Sequence, residues 1–187
     1  DAVVDQEGNE VTASATFAAE TEDGTIDITY TLDSELLRGT SIVVFEDIKT
    51  GDVALYSHAD LEDDAQCVDY PDVKTEATEG RTEDHVGSAG KISIIDSVAL
   101  TNLTVGKTYT VTGILMDKET EKAITDKDGN EITSTYGPFE ADAADMDIEM
   151  TFEADVESLV SKTTVVFEDL LHNAVVVSYH HDIEDED

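Results

Sequence analysis

The chain has 187 residues, room for one ordinary domain or two small ones. Its 10 basic side chains against 45 acidic ones leave a net charge of −35. That charge excludes a nucleic-acid binder held by phosphate contacts and argues against docking on anionic lipid. Hydrophobic residues make up 40% of the chain, enough for a core, so wholesale disorder is excluded as well.

In chain order, a turn signal at Glu7-Gly8-Asn9 is followed by another at Asp23-Gly24. Residues 25–33 then alternate, with Ile26, Ile28, Tyr30 and Leu32 separated by Asp27, Thr29 and Thr31. A strand sends successive side chains to opposite faces, so this spacing predicts a strand with one greasy and one wet face. Residues 32–37 have room for one helical turn. Strands are predicted at 41–46 and 53–58, around the turn Thr50-Gly51-Asp52, and then at 91–98 and 107–116, around Val105-Gly106-Lys107. Asp128-Gly129-Asn130 marks the next turn, before predicted strands at 131–136 and 146–154. The latter alternates through Met146, Ile148, Met150, Phe152 and Ala154. A second helical turn is expected within 152–160, and the last strands at 163–168 and 174–180. The class is all-β, and strands at this spacing predict β-sandwich domains.

The chain repeats itself. Val43-Val44-Phe45-Glu46-Asp47 recurs as Val165-Val166-Phe167-Glu168-Asp169, and thirteen residues after each Phe stands a His, His58 and His180. Each His opens an acidic string, His58-Ala59-Asp60-Leu61-Glu62-Asp63 and His180-His181-Asp182-Ile183-Glu184-Asp185. Gly8-Asn9-Glu10-Val11-Thr12 answers Gly129-Asn130-Glu131-Ile132-Thr133. The offset is 121 there and 122 from Phe17/Phe139 onward. A period this long means tandem whole domains. Residues 1–70 correspond to the C-terminal part of the unit, and residues 71–187 to a nearly whole one.

Three features carry possible chemistry. On a strand, positions i and i+2 share a face, which would aim His58 with Asp60, and His180 with Asp182. A carboxylate beside an imidazole can hold its tautomer or stabilise its cation. In the Val-Val-Phe-Glu-Asp string, alternation sends either the Phe or the Glu inward. Taken alone, the string favours Phe in and Glu out; a carboxyl turned inward would instead have a raised pKa. Asp126-Lys127-Asp128-Gly129-Asn130-Glu131 superficially suggests a calcium loop, but its Gly is out of place for an EF-hand and strands flank it, so it reads as a hairpin turn. His85, His172 and His181 lack zinc-like spacing. Cys67, the single cysteine, cannot form an internal disulfide. No stretch approaches the ~18 apolar residues of a membrane span. The chain starts at Asp1 without a Met or an apolar leader and stops at Asp187 in an acidic run, which predicts a fragment of a longer protein.

The Val-Val-Phe-Glu-Asp string followed by His58, Asp60, Asp63 and Gln66 resembles the VaFE-repeat, or T-Q ester-bond, domains of Gram-positive surface adhesins. The second copy adds the matching front, Pro71-Asp72-Val73-Lys74-Thr75-Glu76-Ala77, and runs on through Lys91–Val98 and Thr101–Gly113 in the family's pattern. The resemblance implies Ig-like β-sandwich domains in tandem on an extracellular, cell-wall-anchored stalk. Its partners would be neighbouring repeats of the same chain, with any host-surface ligand held by other domains, and it needs no cofactor or metal. It further implies a self-made cross-link, in which a threonine near the first strand attacks a glutamine amide near the last and ammonia leaves. Carried across, Thr75 is the second unit's nucleophile and Gln66 the first unit's electrophile. His58 and His180 match the catalytic histidine, and Asp96 the catalytic aspartate. Glu46 and Glu168 are expected as the partner acid, with Asp33 and Asp155 as rivals. Cys67 departs from the Thr usual after the Gln. The first unit lacks its Thr strand, and the second its Gln, expected just after Asp187. Neither unit then holds both partners, so this fragment is expected to carry no ester, while the parent protein carries one per unit. A single self-modification is not enzymatic turnover. A calcium- or glycan-binding acidic sandwich is the alternative.

Overall fold

The computed structural model describes residues 2–83, 85–87 and 90–185. The terminal residues Asp1 and Asp187, on which the reading of the chain ends turns, lie outside them. The chain divides into two compact units. Unit 1 holds residues 1–37 and 42–67, and unit 2 holds residues 38–41 and 68–187.

The strands in chain order are β1 (Thr40–Val43), β2 (Glu46–Thr50), β3 (Val53–His58), β4 (Cys67–Tyr70), β5 (Asp72–Glu79), β6 (Ile92–Thr101), β7 (Thr108–Asp117), β8 (Lys122–Ala123), β9 (Thr133–Glu140), β10 (Met146–Ala154), β11 (Thr164–His172) and β12 (Val175–His180). The two predicted helical turns are a 3-10 turn at Ser34–Leu37 and the short α1 (Val156–Leu159). A further 3-10 turn spans Asp64–Gln66. Strand β1 pairs with β4, and β2 with β3.

Unit 2 is a sandwich. One sheet runs β10-β6-β5, and the other runs β12-β11-β7-β8 with β9 also on β7. Inward residues of both sheets merge into one core, in which Val73, Val98, Leu100, Val111, Leu115, Phe152 and Leu170 are all almost fully buried. The alternation that predicts β10 is seen in its burial, with Ile148, Met150 and Phe152 inside and Glu149, Thr151 and Glu153 outside. Gly113 on β7 leaves space for this core. A Cβ there would stand 2.6 Å from Phe152 Cζ, closer than real carbon contacts allow.

Residues 25–33 do not form the predicted strand. Their counterpart in the second copy is β10, which is held by β6 through a nine-residue register from Met146↔Leu100 to Ala154↔Ile92. Residues 1–70 include no segment that matches β6, and among the described residues 25–33 have no ladder partner. A strand's backbone groups need such a partner to leave water. The faces stay open accordingly. Ile26 is 43% exposed where Ile148 is 5%, and Ile48 is 47% exposed where Leu170 is 0%. The predicted strand at 41–46 breaks into the end of β1 and the start of β2. Unit 1 holds the β2–β3 hairpin and a turn in which Asp5 Oδ1 accepts the N–H groups of Glu7 and Asn9.

Candidate functional site

In unit 2, the site forms where the sandwich's opening strand β5 meets its closing strand β12. The inward positions of β5 are Val73, Thr75, Ala77 and Glu79. Thr75 stands opposite Val98, and Ala77 opposite Asp96. Asp96 therefore lies diagonally across from Thr75 on the same face, one step along β6. In the inward series Ile92, Ile94, Asp96, Val98, Leu100 it occupies an apolar place.

From the other sheet, Val166, Glu168 and Leu170 point inward, and Phe167 points out to stack on His181 with ring centroids 5.0 Å apart. In the second copy the expectation of Phe inward and Glu outward is thus reversed. The outward Phe has a ring to lie against, and the inward Glu meets a histidine. Glu168 opposes His180 directly in register, and His180 Nδ1 lies 3.5 Å from Glu168 Oε2. The same nitrogen is 3.3 Å from Thr75 Oγ1. On the far side of the ring, Nε2 is 3.3 Å from Asp185 Oδ2. A neutral imidazole that donates from Nε2 to Asp185 presents the Nδ1 lone pair to the threonine hydroxyl, the tautomer a general base requires.

Asp96 and Glu168 are both fully buried; as a carboxylate Asp96 would have no hydrogen-bond donor, and Glu168 would have only a protonated His180 at Nδ1. Burial, the Glu168 charge and the bond between the two carboxyls push Asp96 up to about 9. Asp96 therefore keeps its proton at neutral pH and can donate it. His180 is shifted upward, chiefly by its bond to Glu168, against a downward pull from burial.

Unit 1 holds the matching back half. Glu46 opposes His58 in register, with His58 Nδ1 3.4 Å from Glu46 Oε2 and Nε2 3.2 Å from Asp63 Oδ2. The other oxygen of Asp63 accepts the N–H of Ala65 and caps the 3-10 turn that carries Gln66. One carboxylate thus holds the imidazole and the turn bearing the amide. The Gln66 main-chain carbonyl in turn accepts the N–H of Val44.

One sequence expectation is revised here. Within each acidic string, the acid that meets the imidazole stands five residues after the histidine, at Asp63 and Asp185, and not two residues after it. Asp60 and Asp182 instead accept the N–H groups of Glu62 and Glu184 and shape the turn. The strand ends at the histidine, so strand alternation no longer applies; the turn brings the later aspartate back. The rivals Asp33 and Asp155 are exposed at the starts of the two helical turns, while Glu168 is the buried acid. The Asp126 loop is a hairpin turn, closed by the bridge Thr125↔Glu131, with Asp126 Oδ1 accepting from the backbone of Asp128 and Asn130. Among the described residues, no group of His, Cys, Asp and Glu is placed to hold a metal ion.

Comparison with known proteins gives a family match over residues 1–70 and again over 71–187, to the T-Q ester bond containing domain. No curated protein matches the chain. Among solved structures, the fold resembles a bacterial adhesin from Mobiluncus mulieris described as containing intramolecular disulfide, isopeptide and ester bond cross-links. The TM-score is 0.51 at 18% identity, over 63% of this chain and 55% of that one. A second crystal form of that adhesin matches at 0.49 and 19%, with the same coverage. The chain thus spans about half the length of the structures it matches.

Proposed function

The chain belongs to the T-Q ester bond containing domain family, and from that premise we propose that it is a repeat from the stalk of a cell-wall-anchored surface adhesin, stiffened by a self-made Thr-Gln ester in each complete unit. The observation that carries this is the 3.3 Å contact between Thr75 Oγ1 and His180 Nδ1, which joins the opening and closing strands of one sandwich at a half-buried base.

The chemistry follows from the residues in place. His180 Nδ1 takes the proton of the Thr75 hydroxyl, and Oγ1 attacks the side-chain carbonyl carbon of a glutamine. Glu168 stabilises the imidazolium as it forms, and Asp185 keeps the ring oriented. A primary amide is a poor electrophile. The protonated Asp96 donates toward its carbonyl oxygen, where negative charge develops. The imidazolium returns its proton to the departing nitrogen, so one hydroxyl and one carboxamide become one ester and one ammonia. Burial of the acids keeps water from the product. Because Gln66 stands three residues after Asp63, the amide partner of Thr75 falls three residues after Asp185.

Each unit reacts once, as a self-modification and not as turnover. Tying the two end strands lets tension pass along the bond without unzipping the sheets. The acidic surface keeps neighbouring repeats apart and soluble.

The test is a digest of the chain extended through that glutamine. The peptide carrying Thr75 and the C-terminal peptide remain joined until mild alkali separates them, and Thr75→Ala abolishes the joined species. Separate peptides from folded wild-type protein would overturn the proposal.

A further inference from the structure

The turn that carries Asp185 shapes itself locally, through the Asp182 side chain and the Asp185 N–H to Asp182 carbonyl bond. Nothing in that local pattern ties it to the sandwich. Its near end is held on the outer face, where His181 stacks on Phe167 and reaches Asp169 Oδ1 at 3.1 Å. Its far end, where Asp185 must reach back to the imidazole, meets Lys118. The ammonium donates to the Asp185 backbone carbonyl at 3.0 Å, across 67 residues of sequence. Lys118 follows the last residue of β7, and its own N–H donates to the Thr163 carbonyl just before β11. The lysine's base is therefore fixed to the core strands, and its side chain is mostly covered, at 22% exposure. Its approach to Glu184 Oε2 is long, 4.0 Å, and Glu184 is 84% exposed, so that ion pair contributes little.

We infer that Lys118 is a positioning residue for the cross-linking site: by holding the Asp185 main chain it keeps the Asp185 carboxylate on His180 Nε2, and with it the Nδ1 lone pair on Thr75. The inference rests on the ester-forming reading for its consequence, and on the geometry alone for its cause. A point charge on a flexible stem suits a bond to one carbonyl oxygen, and the oxygen belongs to the backbone, so the contact does not depend on the side chain at 185.

Two readouts test it. In the present chain, nitrogen NMR of His180 is expected to show the Nε2–H tautomer in the wild type and a mixed tautomer in Lys118→Met. Lys118→Arg should restore the wild-type signal, and Glu184→Gln should leave it unchanged. An unchanged His180 tautomer in Lys118→Met would overturn the positioning role. In the chain extended through the glutamine, Lys118→Met is expected to slow ester formation roughly ten- to a hundred-fold, as small misplacements of reacting groups do, while reaching the same product. Equal rates in wild type and Lys118→Met would overturn it. If the extended wild type forms no ester, the ester-forming reading fails, and the tautomer comparison still decides Lys118.

Discussion

Asp96 is a carboxyl placed where alternation calls for an aliphatic side chain, and its cost is visible in how it titrates. Its folded pKa is raised to about 9 from 3.8. The folded state therefore holds a proton that the unfolded state releases across this interval, so stability from this group is full in acid and falls as pH rises toward 9. Melting temperature should drop from pH 5 to pH 9, and Asp96→Asn should remove much of that slope. The net charge pushes in the same direction but is shared by both proteins, so the comparison isolates Asp96; parallel curves would contradict the assignment. On the proposed mechanism, the rate of ester formation carries the same signature. It should rise as His180 loses its proton, above the ordinary histidine value of 6.5, and fall as Asp96 ionises near 9. A rate flat from pH 5 to 10 would remove both residues from the mechanism. The two histidines stand out in the sequence through the repeat; Asp96 and Glu168 are legible only through the family pattern, since alternation alone gives Asp96 no sign and favours Phe167 as the inward residue. The role of Asp185 was hidden because it depends on where β12 stops, and that is set by a turn.

At the scale of elements, period-two alternation finds a strand only where a partner exists. The same alternation in residues 25–33 and in β10 gives an irregular segment in one case and a nine-residue ladder in the other. The difference lies in β6, which ladders β10, while residues 25–33 have no such strand beside them among the described residues. The opposite error concerns β5. Its inward residues, Val73, Thr75 and Ala77, are too small and mixed to show a strand by hydrophobicity, and its partner β6 imposes the geometry. The glycine in β7 is explained by packing. Gly113 stands across from Glu168 with the Phe152 ring against it. Gly113→Ala should overpack this point and destabilise unit 2 by about 1–3 kcal/mol, measured by denaturant unfolding. An unchanged midpoint would mean that Phe152 has another place to go.

For the whole molecule, the same family model matches residues 1–70 and residues 71–187. Unit 2 has opening and closing strands, a closed core and a buried acid pair. Unit 1 has the back half of the constellation, Glu46, His58, Asp63 and Gln66, with its apolar faces open. A bond between Thr75 and an amide just beyond Asp185 would close a loop on the order of a hundred residues. On the chain-entropy account of cross-links that stabilises the folded state by about 4–5 kcal/mol. The cross-linked form should therefore unfold at a higher denaturant concentration than its Thr75→Ala counterpart, and coincident curves would show that the bond adds nothing to the sandwich. The most direct measurement is the intact mass of the folded chain extended through the glutamine three residues after Asp185. The account predicts a mass lower than the sequence by one ammonia in the wild type, and the full mass in Thr75→Ala and His180→Ala. A full mass in well-folded wild type, or the same loss in both variants, would contradict it.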